Sequence, residues 1–202
     1  GFFLLAFRIS RYRSPDDFLT FLFYNKLMNF AFFGTPEFAA IILEKLIQAD
    51  MPPRMVICNP DRLVGRKKIL TAPPTKIIAQ KYKIPVLQPE NLEIGNCLPA
   101  EASAQAGKLE IGEIDFAVVA AYSKILSKET LAIPRLGVIG VHPSLLPKYR
   151  GATPIQSAIL NGEKETGVTL YLMDEKIDHG PILAQRELNQ ELRIMNYESL
   201  MK

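Results

Sequence analysis

"NFAFFGTPEFAAIILEKLIQA", Asn29 to Ala49, is the stretch on which the fold turns. An unbroken apolar run closes on Gly34, and apolar residues at helical spacing, Phe38, Ile41, Ile42 and Leu46, follow at once. A short apolar run ended by glycine reads as a buried strand, and the second spacing as a helix with one covered face. Strand then helix with almost no connection is a βα unit, the building block of a parallel sheet. Thr35 is placed to cap the helix and Pro36 to occupy its first turn.

The alternation recurs outward from this unit. "RMVIC" (54–58) reads as a second strand, "PTKIIAQKYK" (74–83) as a helix, and "IPVLQ" (84–88) as a third short strand ending at Pro89. An Ala- and Glu-rich stretch over 99–110 reads as helical, and the chain end, "NYESLMK", as the start of another helix. "DFAVVAAY" (115–122) is continuous enough to be a central strand covered on both faces, and 136–141 is the next strand. "GATPIQSAILNG" reads as a helix closed by Gly162, and "TGVTLYLMDEKIDHGPILAQREL" (166–188) as two strands joined through a polar connection and antiparallel to one another. The expected class is α/β.

Composition narrows the partners. With 48% apolar residues in 202, the chain can bury one core, and a net charge of +3 leaves attraction to a polyanion to a local cluster. Cys58 and Cys97 lack CxxC spacing or a nearby histidine, so neither a zinc site nor a disulfide framework is indicated, and a reducing, cytoplasmic setting fits. In residues 1–27, Arg8, Arg11 and Arg13 break apolar runs that fall short of the roughly 20 residues a bilayer span takes. These arginines follow the first apolar run, the reverse of a signal peptide. The expected organisation is an extension over 1–27 ahead of a domain over 28–202, with no membrane association.

Ligands of open α/β sheets gather outside the carboxyl ends of the strands. Gly34-Thr35-Pro36, Gln88-Pro89-Glu90, Ala121-Tyr122-Ser123, His142-Pro143-Ser144 and Asp174 to Gly180 fall there. A histidine at a strand end is often only packed, but Pro143 and Pro147 force a non-helical loop that holds the His142 imidazole over the sheet edge, as acid–base work requires. Such a ring needs a carboxylate to orient it, and "DEKIDHG" offers Asp174, Glu175 and Asp178 without choosing among them. His179, the second histidine, reads as an exposed loop residue. Arg62, Arg66, Lys67 and Lys68 in "DRLVGRKKIL" read as a basic loop beside the same edge, suited to phosphate contacts. Gly34 stands alone, with neither a GxGxxG fingerprint nor a P-loop, so a dinucleotide or nucleoside triphosphate site is not expected.

Taken together, "FFGTPEFA", "PDRLVGRKKIL", "VVAAYSKIL", "HPSLLPKYRGATPIQSAILNGEKETGVT" and "MDEKIDHGPIL" resemble the amino-terminal catalytic domain of the methionyl-tRNA formyltransferases, from about Met28 onward. HPSLLP and the D-x-G segment are shared with other formyltetrahydrofolate-dependent transferases, which act on glycinamide ribonucleotide or sugar amines. GTPEFA, the basic DR-x-x-GR-K-K segment and YRGATPIQ resemble the tRNA enzymes specifically. The resemblance implies a Rossmann-like formyltransferase fold, with a mostly parallel sheet flanked by helices and a late antiparallel strand. It implies that 28–202 is the catalytic domain, the tRNA-gripping carboxyl-terminal domain of the full enzymes being absent. The implied reaction moves a formyl group from 10-formyltetrahydrofolate to the α-amino group of methionine on initiator methionyl-tRNA, in a cytoplasmic monomer without a metal.

The family pattern pairs Asn-x-His with a distant Asp: Asn and His stabilise the oxyanion, and Asp supports the His and helps manage the amine proton. By resemblance the His is His142 and the Asp is Asp178, the carboxylate followed by x-Gly-x-Ile. Ser144, Leu145, Leu146 and Pro147 match the segment lining the tetrahydrofolate site; Gln88, Pro89 and Tyr122 are expected at the pterin pocket; Arg62, Arg66, Lys67 and Lys68 are expected to meet the tRNA acceptor end. The basic segment lacks a glycine often found in "GRGKKL". The larger departure is Gly140, which stands where the pattern has Asn. Loss of one oxyanion donor typically slows a reaction by about 10²–10³, or about 2.7–4 kcal/mol. The glycine leaves three explanations: an engineered or damaged sequence, a noncatalytic folate- or tRNA-binding relative, or a water or another residue in place of the amide; on the catalytic reading, Gly140→Asn is expected to yield transfer. Sugar-amine or glycinamide ribonucleotide formyl transfer is the alternative activity.

Overall fold

The computed structural model describes residues 28–89 and 114–189. The extension over 1–27, the helical stretch over 99–110, Glu90, Cys97 and the last helix start lie outside the described residues. Strand β1 (Phe30–Gly34) pairs in parallel with β2 (Met55–Ile57) on one side and β6 (Phe116–Ala120) on the other. Beyond β2 lies the two-residue β5 (Val86–Leu87), and beyond β6 lies β7 (Val138–His142), both parallel. Antiparallel β8 (Glu165–Leu172) and β9 (Ile182–Asn189) complete the order β5-β2-β1-β6-β7-β8-β9. The strand order reverses between β1 and β6, so the carboxyl ends of the parallel strands open on one edge, as in doubly wound sheets.

The apolar runs form central strands because both of their faces are covered. Phe30, Phe32, Val56, Phe116, Val118 and Ile139 pack on one face with Leu43 and Ala39 of α1 (Glu37–Gln48) and Ala79 of α2 (Pro74–Lys81). Phe30 and Phe116 stack in register, 5.0 Å between centroids. Full burial of a side chain such as Phe32 contributes about 1.5–3 kcal/mol. Ala31, Phe33, Met55, Ile57, Ala117, Val119 and Val138 fill the other face with Leu126, and Leu131 of α3 (Lys128–Ala132) packs against them. Ser127 caps α3 by accepting the Thr130 N–H. Gly34 is a packing requirement: a β-carbon there would stand 2.6 Å from Ala39 Cβ and 2.8 Å from the Ala120 carbonyl oxygen.

Two local expectations are corrected. Thr35 does not cap α1; the N-cap is Pro36, without a side-chain cap bond, and Thr35 Oγ1 instead accepts the Asn59 N–H at 3.2 Å. The hydroxyl ties the ends of β1 and β2 together, a tertiary demand that local capping preference does not anticipate. The basic loop is a hairpin, β3 (Arg62–Val64) with β4 (Ile69–Thr71), because Leu63 and Val64 pair with Leu70 and Ile69 across the Gly65–Lys68 turn. Helix α4 (Pro154–Leu160) ends as expected, with Gly162 just beyond it.

Candidate active site

His142 is the last residue of β7, and Pro143, which has no N–H, cannot extend the ladder. His142 is 6% exposed, and each of its ring nitrogens faces an oxygen. Nε2 lies 2.8 Å from the Tyr149 carbonyl oxygen; a carbonyl only accepts, so this nitrogen carries the hydrogen and donates. Nδ1 faces Asp178 Oδ2 at 3.5 Å, an ion-pair contact longer than a good hydrogen bond. The ring is therefore anchored through one nitrogen, and the other faces a carboxylate at a distance longer than a good hydrogen bond.

Asp178 lies in the left-handed region, φ 47°, uncommon for a residue with a side chain. Its Oδ2 accepts the Gly151 N–H at 2.7 Å and its Oδ1 accepts the Tyr171 hydroxyl at 2.7 Å. The other two carboxylates of the connection are engaged elsewhere. Asp174 accepts from His179 Nδ1 at 2.8 Å, a bond that is the chief cause holding its carboxyl below the usual value, and Glu175 pairs with Lys128 at 3.3 Å. His179 is exposed, as expected.

The loop after His142 is wired to the antiparallel strands. Fully buried Thr169, opposite His142 in β8, donates through Oγ1 to the Ser144 carbonyl at 2.6 Å and accepts from the Leu146 N–H and Gln185 Nε2. One donor and two lone pairs are thereby satisfied. Gln185 also donates to the Leu146 carbonyl at 2.9 Å. Of the four residues expected to line a ligand, Ser144 is buried and donates to the Lys148 carbonyl, and Leu146 is buried; both hold the loop. Leu145 is half-buried, and Pro147, after a cis peptide bond, is exposed.

Gln88, Pro89 and Tyr122 belong to a second cluster on the same edge. Gln88 Nε2 donates to the Asn59 carbonyl and to Asp61 Oδ1, both at 2.8 Å, and Lys124 donates to the Pro89 carbonyl. Tyr122 meets Phe33 edge-on, and burial pushes its hydroxyl up to about 12. Asn59 Oδ1 and the Tyr122 hydroxyl are buried without a hydrogen-bond partner among the described residues, which is rare in folded proteins. Among those residues no three His, Cys, Asp or Glu side chains gather as a metal site, and no helix is long and apolar enough to cross a membrane.

Residues 28–196 match the family described as Formyl transferase. The chain belongs to the formyl transferase family. It is 46% identical over 158 residues to the methionyl-tRNA formyltransferase of Halalkalibacterium halodurans, covering 78% of this chain and 47% of that one. It is 47% identical over 161 residues to the enzyme of the same name from Lysinibacillus sphaericus, covering 80% and 49%. The chain thus spans about half the length of these curated relatives. A solved phosphoribosylglycinamide formyltransferase from Bacillus halodurans superposes with a TM-score of 0.60 at 27% identity, covering 85% of this chain and 84% of that one.

This formyl transferase domain uses several groups that sequence pattern does not single out. Tyr149 and Gly151 contribute backbone atoms, which carry no residue-type signal. Tyr171 sits opposite Gly140 in the β7–β8 register, a pairing that appears only once the strands are aligned. Arg62, Arg66, Lys67 and Lys68 are all exposed on the hairpin and its turn.

Proposed function

We propose that this domain transfers a formyl group from 10-formyltetrahydrofolate to the α-amino group of methionine on initiator methionyl-tRNA. The reading is carried by one observation: an anchored imidazole and a carboxylate, His142 and Asp178, face each other across 3.5 Å at the carboxyl edge of the sheet. Similarity to the named methionyl-tRNA formyltransferases supplies the acceptor.

In this reaction the neutral amine attacks the formyl carbon and the C–O π pair moves onto oxygen. With a hydrogen on Nδ1, the His142 ring is positioned to donate to that oxyanion, and Asp178 lies beside it. The amine gains a formal positive charge on attack and gives up a proton, which Asp178 accepts; collapse breaks the bond to N10, and the same proton reaches that nitrogen. Atoms balance as formyl-amine plus tetrahydrofolate, and no step calls on a metal. Leu145 and Pro147 border the donor, while the orphan Asn59 Oδ1 and Tyr122 hydroxyl suit the polar edge of its ring system. Arg62, Arg66, Lys67 and Lys68 meet phosphates of the acceptor end.

Single-turnover transfer from 10-formyltetrahydrofolate tests the reading with three acceptors: methionyl-tRNA, glycinamide ribonucleotide and a sugar amine. Transfer to methionyl-tRNA at least tenfold faster than to either other amine is expected. Preference for glycinamide ribonucleotide, to which the superposed Bacillus halodurans structure points, overturns the assigned acceptor. Folate binding without transfer to any of the three overturns the catalytic reading.

A further inference from the structure

Gly140 looks like a missing amide in the sequence, but the space beside it is occupied. A β-carbon on Gly140 would fall against Cε1 and Cζ of the Tyr171 ring and 2.8 Å from the Tyr171 hydroxyl oxygen. The two residues are paired across β7 and β8, and paired residues on adjacent strands share a face, so His142 and Tyr171 lie on the same side of the sheet as Gly140. Tyr171 is 3% exposed, and its hydroxyl donates to Asp178 Oδ1. From covalent geometry a carboxamide nitrogen lies about 2.4 Å from its own β-carbon. The phenol oxygen therefore stands at nearly the radius that an asparagine amide at position 140 would reach.

Resting on the function proposed above, we infer that Gly140 and Tyr171 form one unit, in which the glycine admits the ring and the Tyr171 hydroxyl, standing where an asparagine side chain at 140 would lie, donates to Asp178 Oδ1. Tyr171 acts as a positioning residue: it holds Asp178 through Oδ1, so that Oδ2 stays toward Gly151 N–H and His142 Nδ1. The hydroxyl is suited to this because burial and the neighbouring Asp178 push its ionisation far above neutrality, leaving the proton on oxygen. The two positions constrain each other sterically. Restoring the family's Asn alone forces a β-carbon into the ring and pulls the hydroxyl off Asp178, so the expectation that Gly140→Asn by itself improves transfer is replaced by its opposite.

The test is a double-mutant comparison in the full chain, read by single-turnover rate, by KM for 10-formyltetrahydrofolate and by melting temperature. Tyr171→Phe keeps the ring over Gly140 and removes only the hydroxyl. It is expected to lower the transfer rate by about 10- to 100-fold, the range for one hydrogen bond to a charged group, with KM unchanged and a smaller loss of melting temperature than in Gly140→Asn. Gly140→Asn is expected to lower both rate and melting temperature, whereas Gly140→Asn with Tyr171→Ala is expected to exceed either single variant in rate. Wild-type rate in Tyr171→Phe, or a rate at or above wild type in Gly140→Asn alone, overturns the inference. Transfer by the wild type to a different amine overturns the acceptor assignment only, and the same variants are then compared on that amine. If the wild type transfers to no amine, the function falls; equal melting-temperature losses for Gly140→Asn with Tyr or Ala at 171 then overturn the unit as well, and a smaller loss with Ala upholds its packing.

Discussion

At His142 the decisive fact is that one ring nitrogen is committed to a backbone carbonyl. A ring tied at Nε2 cannot flip without losing that bond, so only Nδ1 is presented to Asp178. His142→Ala and Asp178→Ala are each expected to lower single-turnover transfer by about 10²–10⁴, the range for acid–base groups, with the circular dichroism spectrum unchanged. Retention of wild-type rate in both variants removes the site assignment. His142 is legible in the sequence because it follows an apolar run and is fenced by Pro143 and Pro147. The choice of Asp178 over Asp174 and Glu175 is not legible from spacing and comes from the D-x-G resemblance; the structure gives the physical reason, since His179 and Lys128 occupy the other two carboxylates. Tyr149 and Gly151 are beyond reach because their contributions are main-chain atoms placed by a turn.

The elements show the same division. β1 and α1 are readable because their apolar spacing has a single structural meaning, and the late antiparallel pair is readable from its polar connection. α3 escapes sequence reading: it is short, and its signal, a lone Ser127 cap, is weak beside the surrounding apolar runs. The basic segment reads as a loop because its charges obscure the pairing of Leu63 and Val64 with Leu70 and Ile69. As a hairpin it projects Arg66, Lys67 and Lys68 on an exposed turn, with Leu63 62% and Leu70 65% exposed beside them. Replacing Arg66, Lys67 and Lys68 together by serine is expected to weaken methionyl-tRNA binding and flatten its salt dependence, by about 0.7–0.9 in the log–log slope for each phosphate no longer neutralised. Filter binding between 50 and 200 mM salt measures this; an unchanged slope excludes the hairpin from the tRNA interface.

On the scale of the whole molecule, groups buried at the ends of the central strands set how stability depends on pH. Burial pushes the Cys58 thiol up from 9.0 to about 11 and the Tyr122 hydroxyl from 10.0 to about 12. Both folded values lie above the unfolded ones, so the folded state holds these protons more tightly. The associated stability is fully present below about pH 9 and is lost as pH rises through 11 and 12. Urea midpoints are expected to be flat from pH 7 to 8.5 and to fall from pH 9 upward, with Cys58→Ala removing the earlier part of the decline; a midpoint that holds to pH 11 contradicts this. What the sequence by itself determined is the strands of the parallel core, the helices α1, α2 and α4, the late antiparallel pair and the place of His142 at a strand end, because hydrophobic period and turn residues are local and have few structural solutions. The tertiary structure alone decided how distant segments meet: why Asp174 and Glu175 are engaged away from the imidazole, that Thr35 ties two strands instead of capping a helix, and that Tyr171 fills the place left by Gly140. Those outcomes depend on strand register and side-chain reach between residues far apart in the chain, and no local pattern encodes either.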